Sequence, residues 1–171
     1  MTGHEMLTKA REPEIRDAVS EVCGQLSSQT TLEILRYWEF IRGERIWPLR
    51  RDLNPMDIVE HLPNVMILGV ERDPLDFVYR LTGTLIDENM IGPLKGSRVS
   101  ELPHQAGPGE YWELLRQVAE RGLPCTRPMP YVGPHRDFKR CEIVALPLSA
   151  DGTCVEQILV AIDFIAILED E

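Results

Sequence analysis

A chain of 171 residues with 43% apolar content has the size of one globular domain with a short extension and enough material for an ordinary core. Its formal net charge of -10 argues against non-specific nucleic-acid binding, which depends on neutralising phosphates with Lys and Arg. No apolar run reaches the roughly 20 residues that span a bilayer, and the polar N-terminus lacks the apolar stretch of a secretory signal, so a cytoplasmic protein without membrane partners is expected.

In chain order, Ile15, Val19, Val22 and Leu26 recur at spacings of three and four, which lines one face of a helix. That face can lie on the domain, pair with its copy in a dimer, or leave a frayed arm. Residues 1–30 are therefore read as a helical N-terminal extension and 31–171 as the domain proper. Thr30 followed by Glu33 has capping-box spacing and predicts a helix starting there. Ile34, Tyr37, Trp38 and Ile41 form its apolar face, and Gly43 is placed to end it in a left-handed conformation. A connector containing Trp47 and Pro48 follows. Asn54-Pro55 then reads as an N-cap with proline at the first helical position, opening a short helix over 55–61 that Pro63 stops.

The run Val65 to Val70 predicts a strand, Asp73-Pro74 a turn, and Phe77 to Thr82 a second strand. In the latter Phe77, Tyr79 and Leu81 alternate against Val78, Arg80 and Thr82, the period of a half-buried strand. Short helical pieces broken by Gly92-Pro93 and Gly96 occupy 84–102. Tyr111, Leu114, Leu115 and Val118 make a helical stripe ending at Gly122, and strands return over 126–132, 138–148 and 155–165, the last two joined through the turn signal Asp151-Gly152. This order predicts an α+β fold: a five-stranded antiparallel sheet with helices on one face plus N-terminal helices.

Four short motifs in this order carry a family resemblance. They are Tyr37-Trp38 with Arg42-Gly43, Pro48 in the connector, Tyr79-Arg80-Leu81 with Gly83-Thr84, and Leu146-Pro147-Leu148-Ser149 with Asp151-Gly152. With them the chain resembles, over about residues 31–166, the bacterial PAS-like family once classed as a domain of unknown function. The resemblance implies a sheet whose concave face, with the small helices and the helix over 111–121, encloses a pocket in domains that sense small molecules or bind proteins. It names no ligand, because function belongs to the site and not to the fold.

Chemical signatures are sparse. Cys23, Cys125, Cys141 and Cys154 form no CxxC and read as reduced thiols. The helix over 111–121, where the resemblance would place a haem ligand, has no histidine, so no cofactor is expected and the pocket is read as dry and metal-free. His61, His104 and His135 lie far apart in loop-like sequence without metal-binding spacing. Ser97, Ser100 and Ser149 lack a G-x-S-x-G, and His135-Arg136-Asp137 reads as a hairpin turn, so no catalytic residue and no enzyme is expected. Arg42, Arg45, Arg50 and Arg51 read as a solvated connector rather than an anion site. Arg80 is placed on the outer face of the sheet, beneath the Tyr37-Trp38 helix and paired with Glu142 or Glu39.

The candidate ligand-binding residues are Tyr79, Leu81, Thr84, Met90, Leu115, Met129, Tyr131 and Arg140. Tyr37, Trp38, Ile41 and Trp47 are candidates for a dimer or partner interface, since aromatic side chains often anchor one. The expected protein is a stand-alone sensor or regulatory domain without an output domain, taking a small molecule or a protein partner in signalling, and a homodimer. Its rival is an adaptor with a filled core that dimerises through the N-terminal helices.

Overall fold

The computed structural model describes residues 3–102, 109–135 and 138–166. The chain runs α1 (Gly3–Gln25), α2 (Gln29–Arg42), 3-10 segments at Arg50–Asp52 and Pro55–Asn64, β1 (Val65–Glu71), β2 (Asp76–Thr82) and α3 (Thr84–Asn89). A 3-10 turn at Val99–Glu101 leads to α4 (Glu110–Arg121), β3 (Cys125–Thr126), β4 (Met129–Pro130), β5 (Phe138–Leu148) and β6 (Gln157–Ala166). The sheet order is β2-β1-β6-β5-β3 with β4 also paired to β5, and every pairing is antiparallel. The single strand expected over 126–132 is thus two short ones, because Pro128 between them has no N–H for the ladder.

Both faces of the sheet are covered, which explains why β5 and β6 read as nearly continuous apolar runs. Cys141, Ile143 and Ala145 of β5 and Val160 and Ile162 of β6 pack toward α3 and α4. Val144, Leu146 and Leu148, with Leu159 and Ala161, pack toward α1 and α2. The stripe Ile15, Val19, Val22 and Leu26 is buried in this second layer against Ile34, Leu35 and Trp38 of α2. Within the stretch read as an extension, Ile15 to Leu26 thus pack into the same apolar layer as α2 and the sheet. An ion pair between buried Arg42 and half-buried Glu12 adds to this packing: Arg42 Nη1 donates to Glu12 Oε2 at 2.9 Å and to the Arg45 carbonyl at 2.8 Å, with the guanidinium 5.9 Å from the Trp38 ring centre.

The start of α2 differs from its prediction. Ser28 is the N-cap, its Oγ accepting from the Thr31 N–H at 3.4 Å, and the helix begins at Gln29 rather than at a Thr30–Glu33 capping box. Glu33 does not reach back because Gln29 Nε2, at 2.7 Å, and His61 take its carboxylate. Gly43, at φ 58°, ends α2, and Gly122, at φ 66°, ends α4 in the left-handed region that glycine enters without Cβ strain. A side chain at Gly122 would also stand 2.7 Å from the Trp47 ring. Asn54 caps its segment by accepting from the Met56 N–H at 3.1 Å, and the chain winds from Pro55 to Asn64 as a kinked 3-10 helix, longer than the seven-residue helix predicted.

Candidate functional site

A cavity of about 230 Å³ lies between the sheet and the α3–α4 layer. Its floor is Met66 of β1, Tyr79 of β2, Cys141 and Ile143 of β5, and Ile162 of β6; Ile86, Met90 and Leu94 cover it from the α3 side. The mouth is framed by Glu110 and Tyr111 at the start of α4 and by Met129 to Val132 around β4. Of the eight candidate residues, Tyr79, Met90, Met129 and Tyr131 line this cavity.

Leu81, Thr84, Leu115 and Arg140 lie outside it, each for a local reason. The β1–β2 register shifts between Ile67 and Leu68, so that Leu68 faces Tyr79 and Ile67 faces Leu81, with Arg80 the extra residue of a bulge. Strict alternation fails there, and Leu81, 42% exposed, pairs with a residue that packs toward α1 and α2. Thr84 is the exposed first residue of α3, where Gly83 is the cap and its Cβ would fall 2.3 Å from the Leu62 carbonyl. Leu115 is fully buried behind the cavity wall. Arg140 is exposed and, next to Cys141 on the strand, belongs to the opposite face from the cavity.

The cavity is chemically quiet. Burial pushes the Tyr111 hydroxyl well above the usual tyrosine range, aided by the hydrogen-bonded hydroxyl of Tyr79, and it also approaches Met66 Sδ at 3.7 Å. The Tyr131 hydroxyl donates to the Asn89 carbonyl at 2.8 Å and accepts from the His135 N–H at 3.2 Å. Burial, and then the charge of Asp163, push the Cys141 thiol up to about 12, so it stays protonated and is a poor nucleophile or metal ligand. Among the described lining residues the one charged side chain is Glu110, two-thirds exposed and 3.4 Å from Arg127 Nη1.

Among the described residues no group of three or more His, Cys, Asp or Glu is placed to hold a metal. His61 pairs with Glu33, and the His135 ring nitrogen lies 3.0 Å from the Glu88 carbonyl oxygen. His104, and Arg136 and Asp137 of the apparent trio, lie outside the described residues. Ser149 Oγ accepts from the Gly152 N–H at 2.9 Å within the β5–β6 turn, and Ser100 Oγ donates to Asp76.

The candidate interface residues are largely internal. Trp38 is fully buried, its Nε1 donating to the Pro147 carbonyl at 2.8 Å, so it fastens α2 to the sheet instead of facing a partner. Trp47 Nε1 donates to the Gly122 carbonyl at 2.8 Å and braces the end of α4. Tyr37 is half-buried and donates to Asp57 Oδ2 at 3.1 Å, and Ile41 packs on the same layer. Among the described residues the exposed aromatic is Phe40, 80% exposed, a position the helical face assignment left on the solvent side.

Glu142, read from the sequence only as one of two ion-pair partners for Arg80, has another role. It does not pair with Arg80, which stands exposed against Gly69. Its carboxylate accepts from the Ser27 N–H at 3.0 Å, the Ser27 hydroxyl at 2.7 Å, the Ser28 N–H at 2.8 Å and the Thr31 hydroxyl at 2.6 Å. Burial opposes its ionisation, but the donors from Thr31, Ser28 and Ser27 outweigh burial and hold the carboxyl below the usual glutamate range. The α1–α2 turn is thus clasped by the residue between Cys141 and Ile143 on the cavity floor.

Comparisons with known proteins bear on this arrangement. A family model described as a PAS domain matches residues 26–162. A crystal structure of a sensory box sensor histidine kinase from Vibrio cholerae is similar at 13% identity and a TM-score of 0.47, covering 66% of this chain and 90% of that one. A fungal LOV domain photoreceptor is similar at 13% identity and a TM-score of 0.42, covering 68% and 94%. No curated protein matches the chain. Among the described residues no helix is long and apolar enough to cross a membrane.

Proposed function

The chain belongs to the PAS domain family, and from that premise we propose that it is a non-enzymatic sensor module in signalling, which takes a small molecule in its cavity and passes occupancy to its N-terminal helices. The observation that carries this reading is the alternation of β5: Cys141 and Ile143 line the cavity while Glu142, between them, holds the turn joining α1 to α2. A shift of that strand on ligand entry changes donor geometry at Ser27, Ser28 and Thr31, which gives the ligand a differential contact with two states of the helices. Native mass spectrometry of the protein purified from its own host tests the reading. A retained small molecule that leaves on denaturation is the expected result; an empty chain that also ignores a ligand panel would sink it.

A second reading is favoured by exposed apolar side chains on α2 and on the 3-10 segment Pro55–Asn64. Phe40, Met56 and Val59 are 80%, 73% and 54% exposed. In this reading they meet a second copy of the chain, and the homodimer interface lies on this surface, not on Trp38. The Phe40→Glu variant tests it through its oligomeric state.

A further inference from the structure

We infer that two copies of the chain pair about a two-fold axis, with Phe40 of each seated in the other's groove between α2 and the 3-10 segment Pro55–Asn64; this rests on the second reading above. Phe40 is 80% exposed. One turn back along α2 opens a groove of about 300 Å³, walled by Glu33 and Tyr37 of the helix and by Asp57, Val59 and His61 of the 3-10 segment, over buried Ile58. Glu33 and Phe40 are seven positions apart, so they share a face of the helix, offset by only ~20° and by about 10 Å along its axis. A projection and a recess on one face are what an isologous contact requires.

The recess is roomy and held in shape. A cavity of about 150 Å³ accepts benzene, so the larger groove takes the ring of Phe40. Two polar ties set its walls. The Tyr37 hydroxyl accepts from the Asn54 N–H at 2.9 Å and donates to Asp57 Oδ2 at 3.1 Å, and farther along the Glu33 carboxylate meets His61. A recess fixed in this way demands little ordering from a partner. Val59, 54% exposed, gives the entering ring an apolar wall to bury.

Charge identifies the occupant as a second copy. Glu33, Asp57 and Glu60 border the groove and favour a cation beside the entering ring, and α2 supplies both, in exposed Arg36 and in Phe40 four positions later on the same side. When antiparallel α2 helices place Phe40 of one opposite Glu33 of the other, Arg36 comes opposite Tyr37, because facing residues run in opposite directions along the two helices. Tyr37 holds Asp57 on its hydroxyl, so the guanidinium of each copy meets the Asp57 carboxylate of the other. The two-fold axis makes that pair twice. Glu33 lies two positions beyond Thr31, whose hydroxyl Glu142 holds, so the contact begins on the stretch to which the sensor reading passes occupancy.

A photocrosslinker and a charge swap test this arrangement. With p-benzoylphenylalanine in place of Phe40, irradiating a mixture of isotope-light and isotope-heavy chains should join that position to residues 57–61 of the other copy, seen by mass spectrometry as mixed-isotope peptide pairs. In sedimentation, Arg36→Glu should weaken the dimer roughly tenfold or more, since it sets like charges against each other twice. Adding Asp57→Arg to that chain should recover most of the loss. Should the double variant fail to fold, the crosslink position and the Arg36→Glu shift decide. A dimer that Phe40→Glu dissociates, but that crosslinks outside 57–61 or ignores Arg36→Glu, overturns the arrangement and leaves the second reading standing. A chain that stays monomeric at its highest soluble concentration overturns both, while the sensor reading keeps its own test.

Discussion

The Thr31 hydroxyl donates to Glu142 Oε1 at 2.6 Å, and the Ser28 N–H donates to the same oxygen at 2.8 Å, so one strand carboxylate caps the helix start from across the sheet. It supplements the weaker 3.4 Å cap of Ser28 itself. Replacing Glu142 with Ala leaves these donors without their acceptor and should cost about 1–3 kcal/mol, read as a lower denaturation midpoint with unchanged slope. The sign with pH follows from the lowered folded pKa. The contribution is fully present above the ordinary glutamate pKa of about 4.3 and is lost as pH falls through the lower folded value. The stability gap between wild type and Glu142→Ala should therefore close in acid, and a gap constant from pH 7 to pH 3 would contradict the assignment.

Docking of α1 depends on Glu12 meeting Arg42, whose side chain is nearly inaccessible. Glu12→Gln should destabilise by about 1–2 kcal/mol by removing charge-assisted hydrogen bonds from a buried guanidinium. Limited proteolysis should then cut within residues 3–25 faster than in wild type, with the sheet still protected. Equal cleavage rates would mean that the apolar stripe alone holds α1.

Trp38 and Phe40, two positions apart on α2, should behave oppositely. Trp38→Ala empties a fully buried site and should cost about 3–5 kcal/mol without altering oligomeric state at concentrations where the variant stays folded. Phe40→Glu should change stability by only about 0.5 kcal/mol yet convert any dimer to monomer, as light scattering would show. A dimer untouched by Phe40→Glu would remove the second reading.

Much of this was legible in the residues because the period was unambiguous. The spacings of Ile15, Val19, Val22 and Leu26 and of Tyr111, Leu114, Leu115 and Val118 point to two helical faces; seven of these eight residues are buried and Tyr111 is partly so. Tyr79, Met90, Met129 and Tyr131 line the cavity. Leu81 does not, because a bulge reverses the face of a strand with no local sequence mark. Cys141, Ile143 and Ile162 were missed for a different reason: with both faces of β5 and β6 buried, the apolar run carries no alternation. Glu142 was the usable signal, since one carboxylate in that run has to face donors, and this fixes its neighbours to the other side. Its donors lie 111–115 positions away and are not visible from spacing.

Thiol reactivity gives an independent map of the cavity. Cys154 is exposed, whereas Cys141 is 7% exposed with its thiol pushed up to about 12. At pH 8, iodoacetamide should label Cys154 promptly and Cys141 only after unfolding, as peptide mass spectrometry would resolve. Prompt native labelling of Cys141 would contradict its burial and its raised pKa.

Hydrogen exchange at residues 27–31, measured with and without the small molecule that native mass spectrometry finds retained, tests most directly whether the cavity speaks to the N-terminal helices. In wild type, filling the cavity should change amide protection at Ser27 and Ser28, and in Glu142→Ala the change should vanish while the molecule is still retained. A retained molecule beside unchanged Ser27–Ser28 protection in wild type would contradict the account.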